Sequence, residues 1–344
     1  MEYFLNEAGV AAVRFLDAAG KDKLLEAARL LEIPDNEALR NGDFRYPHCT
    51  CMTAVDTVRK QMTYIAQPAI CAAIVSSGVR IWSAEEFLST VKLGTLQTAR
   101  CPVFHVPHDG TEFPEELAES VCIPWERFLA LHEKMRDTGV SGFIPMEYRV
   151  PHQTIRFPVS RLLCDPERFI GEGEIMERYG MGFCYERAYD GTKIKNITPE
   201  LREKTLRYYR EHHEKINAAC RMHGRVTVFD LHSFSDEIVP KDFLQPGIPT
   251  PDICIGTDEH FTPEALTEIV ERHFRDAGFT TARNYPYSGC LVPNSILSGE
   301  CGGISVMIEC NKRIYCDRSG KPDERKIAQL RGILKDIVSD CTTL

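Results

Sequence analysis

The run "RVTVFDLHSFSD", residues 225–236, opens with β-branched and aromatic residues and delivers Asp230 and His232 near its end. A largely apolar run of this length predicts a strand covered on both faces, hence an inner strand of an α/β sheet. Side chains two apart on a strand lie on the same side, so Asp230 and His232 share a face. In open α/β sheets, ligands bind beyond the carboxyl ends of the strands, which is where His232 stands.

Working outward, four further runs read as strands: "PVFHV" (102–106), "DICIGT" (252–257), "FTTARNY" (279–285) and "ISVMIEC" (304–310). Helices are predicted between them at 124–139, 198–224 and 262–278, with a last one over about 323–339. The second and third open on Thr-Pro-Glu and close on Gly, which supplies a cap, a first-turn proline and a stop. Strands alternating with helices predict an α/β domain.

Residues 1–97 read differently, as a mainly helical appended region of no visible chemistry, with helices predicted over 21–33 and 83–93. The chain therefore divides into 1–97 and a catalytic domain over 98–344.

Composition narrows the partners. A net charge of -9 and the absence of a basic stripe speak against nucleic acid and for a small molecule. The longest apolar stretches, such as "AICAAIV" (69–75), are too short to span a membrane, and "MEYFLNEAGV" lacks the pattern of a signal peptide. The expectation is a cytoplasmic protein; the oligomeric state is not readable. Most of the 14 cysteines sit in apolar runs and read as reduced, buried residues. "HCTC" (48–51) offers only half a structural zinc site.

Chemistry concentrates beyond residue 100. In "VFHVPHDGTEF" (103–113), His108 lies just past a strand end, Gly110 permits a sharp turn, and Glu112 follows at His-x-x-x-Glu spacing. Imidazole and carboxylate on one loop are zinc-ligand types, although a polar turn would look the same. Asp230 either orients an imidazole or forms an ion pair below the site. Glu309 is a lone acid in the buried run "GGISVMIEC" and reads as a general base, or else as a partner of Lys312 or Arg313. Arg161 and Arg168, around Asp165 in "PVSRLLCDPERF" (158–169), are candidates for gripping a substrate carboxylate. The loop "RNYPYSGCLVPNS" (283–295) suits a pocket rim, with Asn284, Tyr287, Ser288 and Gly289 as substrate contacts.

Taken in order, "VPHDGTEFP", "VSRLLCDPERF", "YYREHHEKI", "FDLHSFSD", "RNYPYSG" and "MIECNKRIY" resemble the N-formylglutamate amidohydrolase family of zinc-dependent, carboxypeptidase-like hydrolases, over about 102–316. The resemblance implies a three-layer α/β/α domain with a mixed central sheet, of the zinc-exopeptidase, phosphorylase/hydrolase-like kind. It further implies one zinc ion at the sheet's carboxyl edge and hydrolysis of an N-acyl amide on an amino acid. Mapped here, His108 and His232 would be ligands with Glu112 as the third, Glu309 the general base, and Arg161 and Arg168 the residues facing the substrate. His213 matches a helix histidine of the family and would support the site. Two departures stand out. The wider superfamily has His-x-x-Glu, which leaves Asp165 as an alternative third ligand. Glu167 occupies the place of an asparagine, where its charge would repel an acidic substrate and favour a different one. A zinc carboxypeptidase acting on a peptide terminus and a catalytically inactive ligand-binding relative are the rival readings.

Overall fold

The computed structural model describes residues 100–148, 153–171, 173–341 and 344, together with four short strands that precede them. Those four pair as two antiparallel ladders, β1 (Glu2–Leu5) with β2 (Ala11–Arg14) and β3 (Val55–Asp56) with β4 (Gln61–Met62). The expected helices over 21–33 and 83–93 and the "HCTC" pair lie outside the described residues.

Six strands form the central sheet: β5 (Cys101–Val106), β6 (Thr154–Arg156), β7 (Arg225–Phe234), β8 (Ile253–Gly256), β9 (Thr281–Arg283) and β10 (Gly302–Asn311), in the order β6-β5-β7-β10-β8-β9. All neighbours are parallel except β10 and β8, so the sheet is mixed. The helices are α1 (Glu115–Ala118), α2 (Trp125–Met135), α3 (Pro199–His223), α4 (Glu264–Asp276), α5 (Asn294–Leu297) and α6 (Glu324–Cys341).

Strand parity sorts the faces. Phe104 and Val106, Phe229 and Leu231, and Val306 and Ile308 pack with Leu266 and Val270 of α4 and with Leu330 and Leu334 of α6. On the other side Val103, Val226 and Val228 pack with Ile216 and Cys220 of α3. The result is α/β/α layering, and His105, Asp230, His232 and Glu309 share the parity that faces α3. Register then fixes their neighbours, with His105 opposite Asp230 and His232 opposite Glu309.

Capping follows the sequence at α3, where the Thr198 hydroxyl accepts from Leu201 N–H and Pro199 opens the first turn. At α4 it does not: Thr262 instead donates to the Ser305 carbonyl and ties the helix entry to β10. Helix α2 stops at Met135 because residues 136–139 turn back on β5, Asp137 N–H donating to the His108 carbonyl. Strand β6 was not anticipated, since three residues carry no period. Among the described residues no helix is long and apolar enough to cross a membrane, and every cysteine is free.

Candidate active site

The loop after β5 brings His108 in under the sheet edge. Gly110 is required there, because a Cβ would lie 2.5 Å from the Pro158 carbonyl oxygen. His108 and His232 are both buried, and their Nδ1 atoms face each other at 3.2 Å. The Asp137 carboxylate closes a triangle, its Oδ2 lying 3.3 Å from His232 Nδ1 and 3.6 Å from His108 Nδ1. Adjacent ligands of a tetrahedral metal with bonds of about 2.0–2.1 Å stand about 3.3–3.4 Å apart, so these three atoms match one face of such a site.

The far nitrogens complete the pattern. His108 Nε2–H donates to Asp165 Oδ1 at 2.8 Å, and His232 Nε2–H donates to Asp230 Oδ1 at 3.0 Å. Ionised carboxylates only accept, so each Nε2 carries the proton and each Nδ1 lone pair is left for an ion. Glu167 groups with the same two histidines, but it lies at their Nε2 side, 3.0 Å from His232 and 3.9 Å from His108. Those nitrogens are already engaged by Asp165 and Asp230, which makes Asp137 the better third ligand. A second grouping, His105 with Glu167 and Asp230, has His105 Nδ1 only 2.8 Å from Asp230 Oδ1. That spacing is a hydrogen bond, too short for two ligands of one ion.

Charge gives the same answer. Asp137, Asp165, Asp230 and Glu167 contribute four negative charges, while Arg161 and Arg168 contribute two positive ones. Lys312, buried near Asp137, adds a third, so four minus three still leaves a positive charge to be supplied by a cation or an imidazolium. In the ion-free protein the imidazoles carry it. Burial opposes protonation of His232, yet Glu167 and Asp230 hold its pKa well above the ordinary range, and His105 is raised to about 9 by Asp230 and Glu167 against its burial. Burial would raise Asp165, but His108, Arg168 and Arg161 keep it well below the usual carboxylate range.

Glu309 is buried beside His232, and burial pushes its carboxyl up to about 8 against the pull of that imidazole. It is not the partner of the following cations. Lys312 donates to the carbonyls of Lys134 and Arg136, and Arg313 pairs with Asp236 and Asp252.

The remaining candidates divide. Arg161 Nη2 donates to Asp165 Oδ2 at 3.0 Å, and Arg168 approaches the same oxygen at 3.7 Å. Tyr185 also donates to that oxygen, making Asp165 the hub that aims both guanidiniums. His213 Nε2–H donates to the Pro166 carbonyl and braces this turn. Tyr287 packs edge-on against Phe234 and Phe243, and its hydroxyl is raised by burial and by Glu309. Asn284 spends its amide on Thr257, just past β8, and on Gly289 N–H of its own loop, and Ser288 is exposed.

Glu112 is a correction. Its side chain is exposed and its backbone pairs with Pro158 and Ser160, so it stands away from the histidine pair. Glu167 has its carboxylate turned onto His232 and His105. Asp137 had no detectable signal, being one acid in a turn with no fixed spacing to either histidine.

Paired histidines, carboxylates and a buried glutamate at the carboxyl edge of a mixed sheet are the side-chain types that a hydrolase uses. The model of the N-formylglutamate amidohydrolase family matches residues 101–316, more than half of the chain. The chain belongs to that family and is a hydrolase acting on an amide. No curated protein is significantly similar to it in sequence. Among solved structures it is similar to an N-formylglutamate amidohydrolase from Ralstonia eutropha JMP134, with a TM-score of 0.57 and 23% identity, over 71% of this chain and 93% of that one. At that identity the likeness speaks for the fold.

Proposed function

We propose that this protein is a zinc-dependent amidohydrolase that cleaves an N-acyl, N-formyl-like amide from an amino acid bearing a carboxylate, with residues 98–344 as its catalytic domain. The observation that carries the reading is the triangle of His108 Nδ1, His232 Nδ1 and Asp137 Oδ2, backed by Asp165 and Asp230 on the opposite nitrogens.

These three residues would hold the ion, which supplies Lewis acidity for the scissile carbonyl and acidifies a water. Glu309 takes the proton from the attacking water and returns it to the leaving nitrogen. Its buried carboxyl suits both steps, since burial makes it more basic than an exposed glutamate and a nearby cation brings it back towards the working range. Arg161, fixed on Asp165, stabilises the oxyanion, and Arg168 takes the substrate carboxylate.

A screen of N-formyl, N-acetyl and N-carbamoyl amino acids with short peptides alongside tests the reading. Activity is expected on N-formyl acids with an acidic side chain, and turnover of peptides alone would refute it. Glu309→Gln should keep its metal and lose about two to four decades of kcat; loss of metal in that variant would make Glu309 a ligand instead. Arg168→Ala should raise KM for an N-formyl diacid much more than for its side-chain amide, and equal effects would remove Arg168 from carboxylate binding.

A further inference from the structure

His105 faces the α3 layer from the middle of β5, between Phe104 and Val106, where an aliphatic residue would fill the space. Burying an imidazole there is unfavourable unless its nitrogens are engaged. Both are. Nδ1 lies 2.8 Å from Asp230 Oδ1 and 3.4 Å from Glu167 Oε1, and Nε2 lies 2.7 Å from Nε2 of His212 on α3. His212 is itself buried and packs edge-on against Phe157, and among the described residues its other nitrogen has no hydrogen-bond partner.

The two carboxylates that His105 touches are the two that converge on His232 Nε2, each at 3.0 Å. Asp230 has a second anchor, the Leu291 N–H on its Oδ2. Without His105, two negative groups would crowd one imidazole nitrogen in a buried setting, and like charges so placed turn apart. His232 would then lose the fixed tautomer and orientation that present Nδ1 to an ion.

We propose that His105, backed by His212, is a positioning residue of the metal site: its imidazole bridges Asp230 and Glu167 and keeps both carboxylates turned onto His232. The inference rests on the metal reading above.

The test is the affinity of the full-length, metal-stripped protein for Zn2+, measured in competition with a chromogenic chelator. His105→Leu is expected to weaken Zn2+ by about tenfold to a hundredfold, the range seen when a partner of a ligating histidine is lost. His105→Asn keeps an N–H where Nδ1 stands but has no atom facing His212, so it should stay within about tenfold of wild type and bind Zn2+ more tightly than His105→Leu. His212→Phe keeps the ring against Phe157 but removes the nitrogen facing His105, and should cost about tenfold. A merely structural role predicts a lower thermal midpoint of the stripped protein in all three with unchanged Zn2+ affinity, and that result overturns the proposal. If His105→Leu fails to fold, the other two decide, and wild-type affinity in His212→Phe, or a loss well beyond tenfold in His105→Asn, overturns it. Absence of Zn2+ binding by the wild type would instead refute the metal reading itself.

Discussion

Asp137 and Glu112 show most clearly how roles are assigned by position rather than by residue type. Glu112 is close to His108 in sequence, yet it points to solvent; Asp137 is remote in sequence, yet its Oδ2 completes a triangle with the two imidazoles. Glu112→Ala should therefore leave Zn2+ content and turnover at wild-type levels, whereas Asp137→Ala should lose the ion. The reverse pattern in metal analysis of the two purified variants would restore the His-x-x-x-Glu reading. His232 and Glu309 were legible because each breaks an apolar strand pattern near its carboxyl end, and His108 because it follows such a strand by two residues. Asp137 was not, because its place depends on how far the turn after α2 folds back onto β5, which no local pattern encodes. Glu167 stood out only as a departure from the family pattern, and where its carboxylate turns depends on imidazoles that come from two other strands.

At the scale of elements, α2 carries a pH response independent of the metal site. His132 is buried against Ser160, with Nδ1 2.9 Å from the hydroxyl oxygen, and burial lowers its pKa to about 4. The unfolded chain takes up this proton near about pH 6.5, while the folded protein resists until about pH 4. The neutral ring's contribution is thus fully present above about 6.5 and is lost as the pH falls towards 4, an effect of at most about 3 kcal/mol. Between pH 7.5 and 5 the thermal midpoint of wild type should fall further than that of His132→Gln; parallel curves would show that His132 does not titrate between the two states. Element types were readable where caps and periodicity agreed, as at α3. They were not at β6, whose three residues are held as a strand by pairing with β5, or at Thr262, whose hydroxyl is drawn to the sheet.

For the whole molecule, alternation along β5, β7 and β10 decides both the layers and the site. The same parity that gives α4 and α6 one face of the sheet leaves His105, Asp230, His232 and Glu309 in adjacent register on the other. That much of the architecture follows from reading the strands as inner and covered on both faces. The antiparallel entry of β8 beside β10 does not, since strand direction is set by connections that a run such as "DICIGT" cannot reveal. What the fold assembles is a cluster of buried acids around paired imidazoles. The most direct test of the central claim is an anomalous difference map collected at the zinc edge from Zn2+-loaded crystals. One peak per chain, about 2.0–2.2 Å from His108 Nδ1, His232 Nδ1 and an Asp137 oxygen, is the expected result. No peak there, or one bonded to Glu112, would contradict it.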